Sequence, residues 1–435
     1  VHLTGRSVLV LLIGLVPVVL LGGRAELAFA MLGLWLLVWA VLVAVDLIAA
    51  GSARAVSLER RVPDRVRLGE RAETILLVTN TGRRRITGLV RDAWEPSAGA
   101  LATRSPLRLP PGERRAVTTV LAPRRRGERR ALHVTVRSWG PLGLAGRQAT
   151  HSTPAVVRVL PAFRSRRHLP SRLARLRELE GRTSVMIRGQ GTEFDSLREY
   201  VRGDDVRSLD WRATARRREP VVRTWRPERD RRVIVVLDTG RTSAARIEDE
   251  PRLDTAIEAS LLLSALAASA GDRVDVLAFD RARRARVHGA TGSEVLTRVV
   301  DALTPVQPQL IETDWAALPA QVRTLASQRS LVVVLTALDS IGSAEGLLAV
   351  LPQLTRVHTV VVACVVDPEL QRMAADRGDR AAVYSAAAAE RSLADVERLS
   401  AAVRRLGGEV VLGSPEKLPP ALADRYLALK AAGRL

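Results

Sequence analysis

Two apolar runs close to the N-terminus limit what this chain can fold into more than any other feature. Ser7 to Gly22 is almost entirely apolar, and after Gly23-Arg24-Ala25-Glu26 a second run extends from Leu27 to Ala50, broken only by Asp46. Each approaches the roughly 20 residues a helix needs to cross a bilayer. The short polar turn between them predicts a helical hairpin, with two transmembrane helices over residues 1–50. Ala28-Phe29-Ala30 has the small-x-small form of a signal-peptide cleavage site. It lies inside the second run, which continues well past it, so two retained spans are expected. Arg6 precedes the hairpin and Arg54, Arg60 and Arg61 follow it, whereas the turn offers Arg24 against Glu26. That bias places both ends on the cytoplasmic side of a multi-pass protein of the inner (plasma) membrane. Asp46, near the inner end of the second span, costs less there than at mid-bilayer.

With 435 residues, two or three domains are expected. The formal net charge of +21 comes almost wholly from Arg, since lysine occurs only at Lys417 and Lys430. Such a balance suits nucleic acid, anionic lipid or an acidic partner. Asp and Glu are dispersed through the basic regions and no zinc-finger or RNA-module signature occurs, so no nucleic-acid partner is expected. The single cysteine, Cys364, excludes an intramolecular disulfide. Within the apolar run Val360 to Val366 it reads as a small core residue.

From Leu58 the pattern becomes short alternating runs: Thr74 to Val78, Ile86 to Val90, Ala116 to Leu121, Leu132 to Val136 and Val156 to Leu160. Turn signals separate them, and the spacing predicts an immunoglobulin-like β-sandwich over residues 55–162. His133 alternates with apolar neighbours and is expected on the solvent face. Residues 163–230 form a connecting segment that starts with a helix from Ser171 to Glu180, where Leu173, Leu176 and Leu179 recur at helical spacing. From Arg232 strands and helices alternate, which predicts a doubly wound α/β domain over residues 231–435. Its strands are expected at Val233 to Asp238, Val274 to Phe279, Arg286 to His288, Leu331 to Leu335 and Val357 to Val366. Its helices are expected at Leu253 to Ala270, Glu294 to Leu303, Trp315 to Leu325, Ser392 to Leu406 and Pro420 to Ala432.

The stretch from Gly189 to Trp225 follows no amphipathic period. Asp204, Asp205 and Asp210 sit among Arg198, Arg202, Arg207, Arg212 and Arg216, which suits an ion-pair network with forked Arg–carboxylate bonds. It reads as a structural clasp, as a partner-binding surface, or as both.

Asp238-Thr239-Gly240-Arg241-Thr242 follows the first strand of the α/β domain. An Asp with a hydroxyl four residues on resembles the opening of the metal site in a von Willebrand factor A-like domain. That resemblance implies an oxygen-only site for Mg²⁺ formed by Asp238, Thr242 and Thr313. Gly240 replaces the first hydroxyl of the pattern, and Ala337 stands where the third loop should offer an acid, with Asp339 two residues on. The site is therefore a degenerate one. No phosphate-binding loop, Gly-x-Ser-x-Gly elbow or His-Glu-x-x-His occurs. Glu193 and Asp195 are expected to pair with Arg188 or Arg198.

The string Gly189-x-Gly191-x-Glu193-Phe194, Leu197-Arg198-x-Tyr200, Gly203-Asp204-Asp205-x-Arg207, Asp210-Trp211 and Ala215-Arg216 resembles the signature of the domain of unknown function 58 family. Upstream, Arg126-Gly127 and Trp139-Gly140-Pro141-Leu142-Gly143-Leu144 resemble the segments that precede it there. The resemblance implies a membrane-anchored accessory factor of a MoxR-type AAA+ ATPase, active in maturing or assembling client complexes. No catalytic residue is expected. Two alternatives stand beside that reading: a Mg²⁺-dependent adhesion-type ligand-binding module, and an envelope-associated enzyme that uses Glu193, Asp204, Asp205 or Asp210 as acid or base.

Overall fold

The first apolar run does not make one long helix. It forms α1 (Gly5–Ile13) and α2 (Leu15–Leu20), broken at Gly14. Pro17 has no N–H to give the Ile13 carbonyl, so the ladder cannot run through the break. At 1.5 Å per residue the pair covers about 24 Å, short of the roughly 30 Å hydrocarbon layer. The second run forms α3 (Ala25–Ala49), the one described helix long and apolar enough to cross a membrane, as a span or as a signal sequence. It is not a core helix: Phe29 is 74%, Leu37 60% and Ile48 61% exposed. Trp39 ties it back to α1, its indole N–H donating to the Ser7 carbonyl at 3.2 Å. The computed structural model describes residues 1–20, 24–186, 193–201, 209–217, 219–226 and 231–435. Contacts divide the chain into two units, Val1–Leu160 and Pro161–Leu435.

Within the first unit, β1 (Val56–Arg61), β2 (Ala72–Asn80) and β5 (Arg114–Leu121) make an antiparallel sheet in the order β1-β2-β5. The facing sheet holds β3 (Ile86–Trp94), β4 (Arg104–Leu109), β6 (Gly127–Trp139) and β7 (Ala145–Leu160) in the order β7-β6-β3-β4. Two short strands, His2–Leu3 and Arg65–Arg67, pair with opposite ends of β7. Alternate residues of each strand point inward, so Leu76, Val78, Ile86, Val90, Leu107, Leu109, Val134 and Val136 form one buried cluster. The result is a β-sandwich in which one apolar face of each sheet is removed from water. His133 is exposed, as expected, although a bulge between Ala131 and His133 breaks the alternation and leaves Leu132 exposed as well. Asp92 is buried between the sheets; it takes the Trp94 indole N–H at 2.9 Å and pairs with Arg60.

In the second unit, α4 (Leu169–Met186) runs past both ends of the expected helix. A hairpin of β8 (Glu193–Glu199) and β9 (Val221–Arg226) brackets α5 (Trp211–Arg217). Then follow β10 (Arg232–Asp238), α6 (Arg252–Ser269), β11 (Arg273–Phe279), β12 (Arg283–Ala290) and α7 (Glu294–Leu303). The chain continues through α8 (Leu318–Leu325), β13 (Leu331–Leu335), α9 (Ile341–Thr355) and β14 (Thr359–Val365). It ends with α10 (Pro368–Ala375), α11 (Arg380–Arg405), β15 (Glu409–Gly413) and α12 (Leu418–Ala431). The sheet order is β12-β11-β10-β13-β14-β15, parallel except for the antiparallel edge strand β12. Runs such as Val233 to Leu237 are buried on both faces, which is why they lack polar alternation. Ile234, Val236, Val332 and Val334 pack with Leu318, Leu347, Leu351 and Val403 of α8, α9 and α11. Helix α6, buried along nearly its whole length, packs against β10 and α12.

Some elements differ from expectation. Trp315 to Leu325 is a 3₁₀ turn (Trp315–Ala317) followed by α8, with Pro319 in the first turn of the helix. Helix α11 begins at Arg380, because Asp379 accepts the Ala382 N–H at 2.7 Å and caps a run of Ala residues. Helices α9 and α10 and strand β15 had no counterpart in the sequence pattern.

Candidate functional site

Order reverses between β10 and β13, so the crevice outside their carboxyl ends is where an open α/β sheet places ligands. Asp238 ends β10 at that point and is 2% exposed. Its carboxylate is ringed by hydroxyls. Oδ1 accepts the Gly240 N–H at 2.8 Å and the Thr313 hydroxyl. Oδ2 accepts Thr336 at 2.7 Å and Thr242 at 3.2 Å. The structure therefore brings Asp238, Thr242 and Thr313 together from two loops, and a third loop adds Thr336. Sequence reasoning looked to Ala337 and Asp339 for the third loop and missed Thr336. The available signal was its place directly after the core strand Leu331–Leu335.

Asp339 turns elsewhere. Its carboxylate takes a forked pair of bonds from Arg252, at 2.7 and 3.1 Å, and Arg252 also donates to the Thr242 carbonyl at 3.0 Å. Gly240 explains how Thr313 reaches Asp238: a Cβ at position 240 would stand 2.3 Å from the Thr313 hydroxyl. The space that a side chain would fill at position 240 is thus taken by a threonine from another loop. A neighbouring carboxylate, Asp280 at the end of β11, accepts Thr239 at 2.8 Å, Arg284 at 2.6 and 2.9 Å, and the N–H groups of Arg281 and Ala282. Burial pushes the Asp280 carboxyl upward, but the Arg284 guanidinium, these N–H groups and the hydroxyl outweigh it and hold it below the usual carboxylate value.

This donor set does not fit a resident Mg²⁺. It presents one carboxylate with four hydrogen bonds already on its two oxygens, and no cluster of three His, Cys, Asp or Glu residues occurs among the described residues. Magnesium requires a nearly octahedral oxygen shell and gives up its own waters reluctantly. The arrangement instead staples three loops to the end of the central strand through hydroxyl–carboxylate bonds, each stronger than a neutral one.

The signature stretch is placed in part. Glu193, Phe194 and Arg198 lie on β8, opposite Arg226, Trp225 and Val222 of β9. The Tyr200 N–H donates to the Pro220 carbonyl at 2.8 Å and prolongs that pairing. Asp210 accepts the N–H groups of Arg212 and Ala213, both at 3.0 Å, and so caps α5. Arg216 is exposed, and Trp211 is 69% exposed, a large aromatic facing solvent. Gly189, Gly191, Gly203, Asp204, Asp205 and Arg207 lie outside the described residues.

A second site joins the apolar helices to the sandwich. Asp46, in the last turn of α3, is fully buried. Its carboxylate accepts the N–H groups of Leu142 at 2.8 Å, Leu144 at 2.7 Å and Ala145 at 2.9 Å. The β6–β7 turn thus wraps the charge, and Gly140 permits this: a Cβ there would lie 2.1 Å from Oδ1. From the start of α1, the Thr4 hydroxyl donates to the Gly143 carbonyl at 2.6 Å, and its N–H to Leu144 at 2.9 Å. One turn therefore holds the beginning of α1 and the end of α3, so the two apolar segments run in opposite directions.

The model of the family described as "Protein of unknown function DUF58" matches residues 196–406. Uncharacterized proteins of Mycobacterium tuberculosis and Mycobacterium bovis are 28% identical over 193 residues, which is 44% of this chain and 60% of each relative. The chain thus spans 60% of the length of the curated relatives it matches. Among solved structures, the CARDB domain of a Pyrococcus furiosus protein is 24% identical and covers 24% of this chain and 94% of that one, with a TM-score of 0.19. Escherichia coli alpha-2-macroglobulin, from domain MG7 to its C-terminus, is 19% identical over 25% of this chain and 17% of that one, with a TM-score of 0.21. Neither structural likeness is close enough to bear on function.

Proposed function

We propose, from the match of residues 196–406 to the model of the family described as "Protein of unknown function DUF58", that this chain is a membrane-anchored scaffold that holds other proteins. The carrying observation is the Asp46 clamp. A largely exposed apolar helix is joined by a buried carboxylate to the folded sandwich, an arrangement suited to a retained anchor. In this reading α3 spans the bilayer of the inner membrane, α1 and α2 turn back beside it, and the sandwich and α/β unit stand in the cytoplasm.

The α/β unit is read as von Willebrand factor A-like, supported by its sheet order and by the hydroxyl-ringed Asp238 at the switch point. The partner, a MoxR-type AAA+ ATPase with its clients, follows from the family resemblance of the signature. The exposed Trp211 beside the capped start of α5 is a suitable anchor for such contact, since solvent-facing aromatics dominate interface energies. The test is co-purification of a MoxR-type ATPase from membranes with wild-type chain, with Trp211→Ala and with residues 189–225 removed. The proposal predicts recovery with wild type and loss with both changes. Unchanged recovery from the deleted chain contradicts it.

A further inference from the structure

We infer that the end of the sandwich nearest the apolar helices is a membrane-facing surface that binds the headgroups of anionic phospholipid. The inference rests on the reading of the helices as bilayer-embedded and goes on to name the lipid. Strand registers show which turns share that end. Ser138 of β6 pairs with Arg147 of β7 and with Gly88 of β3, so the β6–β7 turn and the turn before Ile86 lie side by side. Gly51, just past α3, packs against the Arg85 carbonyl. The Arg147 guanidinium donates to the Leu47 carbonyl at 3.1 Å, which sets it level with the last turn of α3.

Six exposed arginines gather at this level: Arg6, Arg83, Arg84, Arg85, Arg137 and Arg147. None of them pairs with a carboxylate among the described residues. The Asp46 carboxylate is turned onto backbone amides, and the exposed acid at this end is Glu113 on the neighbouring turn. Leu3 and Leu142, 51% and 45% exposed, lie among the arginines. An apolar anchor that emerges through exposed leucines and guanidinium groups without carboxylate partners among the described residues matches the boundary between acyl chains and negative headgroups. The opposite end of the sheet is mixed in sign: exposed Arg65, Arg71, Arg124, Arg125, Arg130 and Arg158 share it with exposed Asp64, Glu70 and Glu128, and Arg130 pairs with Glu128.

The experiment uses the full chain, delipidated in detergent and titrated with phosphatidylglycerol or phosphatidylcholine, with bound lipid counted by native mass spectrometry. Wild type should retain phosphatidylglycerol in preference. Replacing Arg83, Arg84 and Arg85 together by Gln should reduce that preference by about tenfold or more, since each basic residue at an anionic surface is worth about fivefold. The control Arg124→Gln with Arg125→Gln should keep it. Equal retention of both lipids by wild type, or an undiminished preference in the triple variant, overturns the inference. Anchoring is read separately, as resistance of membrane-bound chain to alkaline carbonate extraction. The triple variant should retain that resistance, and its loss from wild type would refute the anchor and not the lipid preference.

Discussion

Asp46 and Leu144 lie 98 positions apart, and the carboxylate of the one accepts the backbone N–H of the other at 2.7 Å. The bond spans from an apolar helix to a sandwich turn, and two more amides share the same acceptor. Asp46→Ala would take the acceptor from three N–H groups, those of Leu144 and Ala145 buried and that of Leu142 part-buried. Each such group costs about 1–3 kcal/mol, so a loss of about 3 kcal/mol is expected. Asp46→Asn keeps one acceptor oxygen and should fall between. Urea unfolding in detergent reads the loss, and protease cleavage within the 140–145 turn should rise in the same order. Equal stability of Asp46→Ala and wild type contradicts the clamp.

The cluster at Asp238 is predicted to be structural and indifferent to magnesium. Thr336→Val removes one donor and should cost about 1–2 kcal/mol, and Asp238→Ala, which strands three hydroxyls, should cost more. Gly240→Ser would push against Thr313 and should destabilise the unit. Calorimetry of the wild-type chain with Mg²⁺ should show no saturable heat. A saturable heat that Asp238→Ala abolishes would restore the metal-dependent reading.

Asp280 should give a defined pH dependence. Its folded carboxyl is held below the usual value, so the unfolded state binds the proton more readily. The stability it contributes is fully present above the unfolded value near pH 4. It is lost as pH falls through the folded value. Asp280→Asn should therefore be less stable than wild type at neutral pH, with the difference shrinking below about pH 4. Unfolding midpoints across that range test the sign, and a gap that widens on acidification contradicts it.

Cys364, the single cysteine, should be inert while the chain is folded. It is fully buried on β14, and burial pushes its thiol up to about 11. Its sulfur accepts the Leu338 N–H at 3.3 Å. Alkylation by iodoacetamide at neutral pH should be negligible in the native chain and complete in urea. Rapid native labelling would show that β14 is accessible.

The α/β half was the most legible part of the sequence. Buried parallel strands show as unbroken apolar runs, and Leu331–Leu335 was placed to the residue. Strand β15 was not visible because it is short and half-buried, and Glu409 at its start binds Arg425 and Arg434. Pro17, three residues past the break at Gly14, could have been weighed against a full first span, since proline removes a ladder bond wherever it falls. Asp46 was legible as an anomaly, but its three amide partners lie about a hundred residues away and no local pattern reports them. Thr336 was missed for a related reason. A hydroxyl identifies itself as a ligand of a carboxylate only when the sheet brings them together. Asp210 was expected among arginines, and its cap on α5 follows from the ordinary preference of Asp for helix starts.

The account depends most on the apolar helices being embedded with both ends at the sandwich. The direct measurement is accessibility of single cysteines, Arg24→Cys and Ser52→Cys, in a Cys364→Ala background, in sealed vesicles of one orientation. A membrane-impermeant maleimide should label Ser52→Cys from the side that carries the soluble units, and Arg24→Cys from the other. Labelling of both from the same side would contradict the anchor.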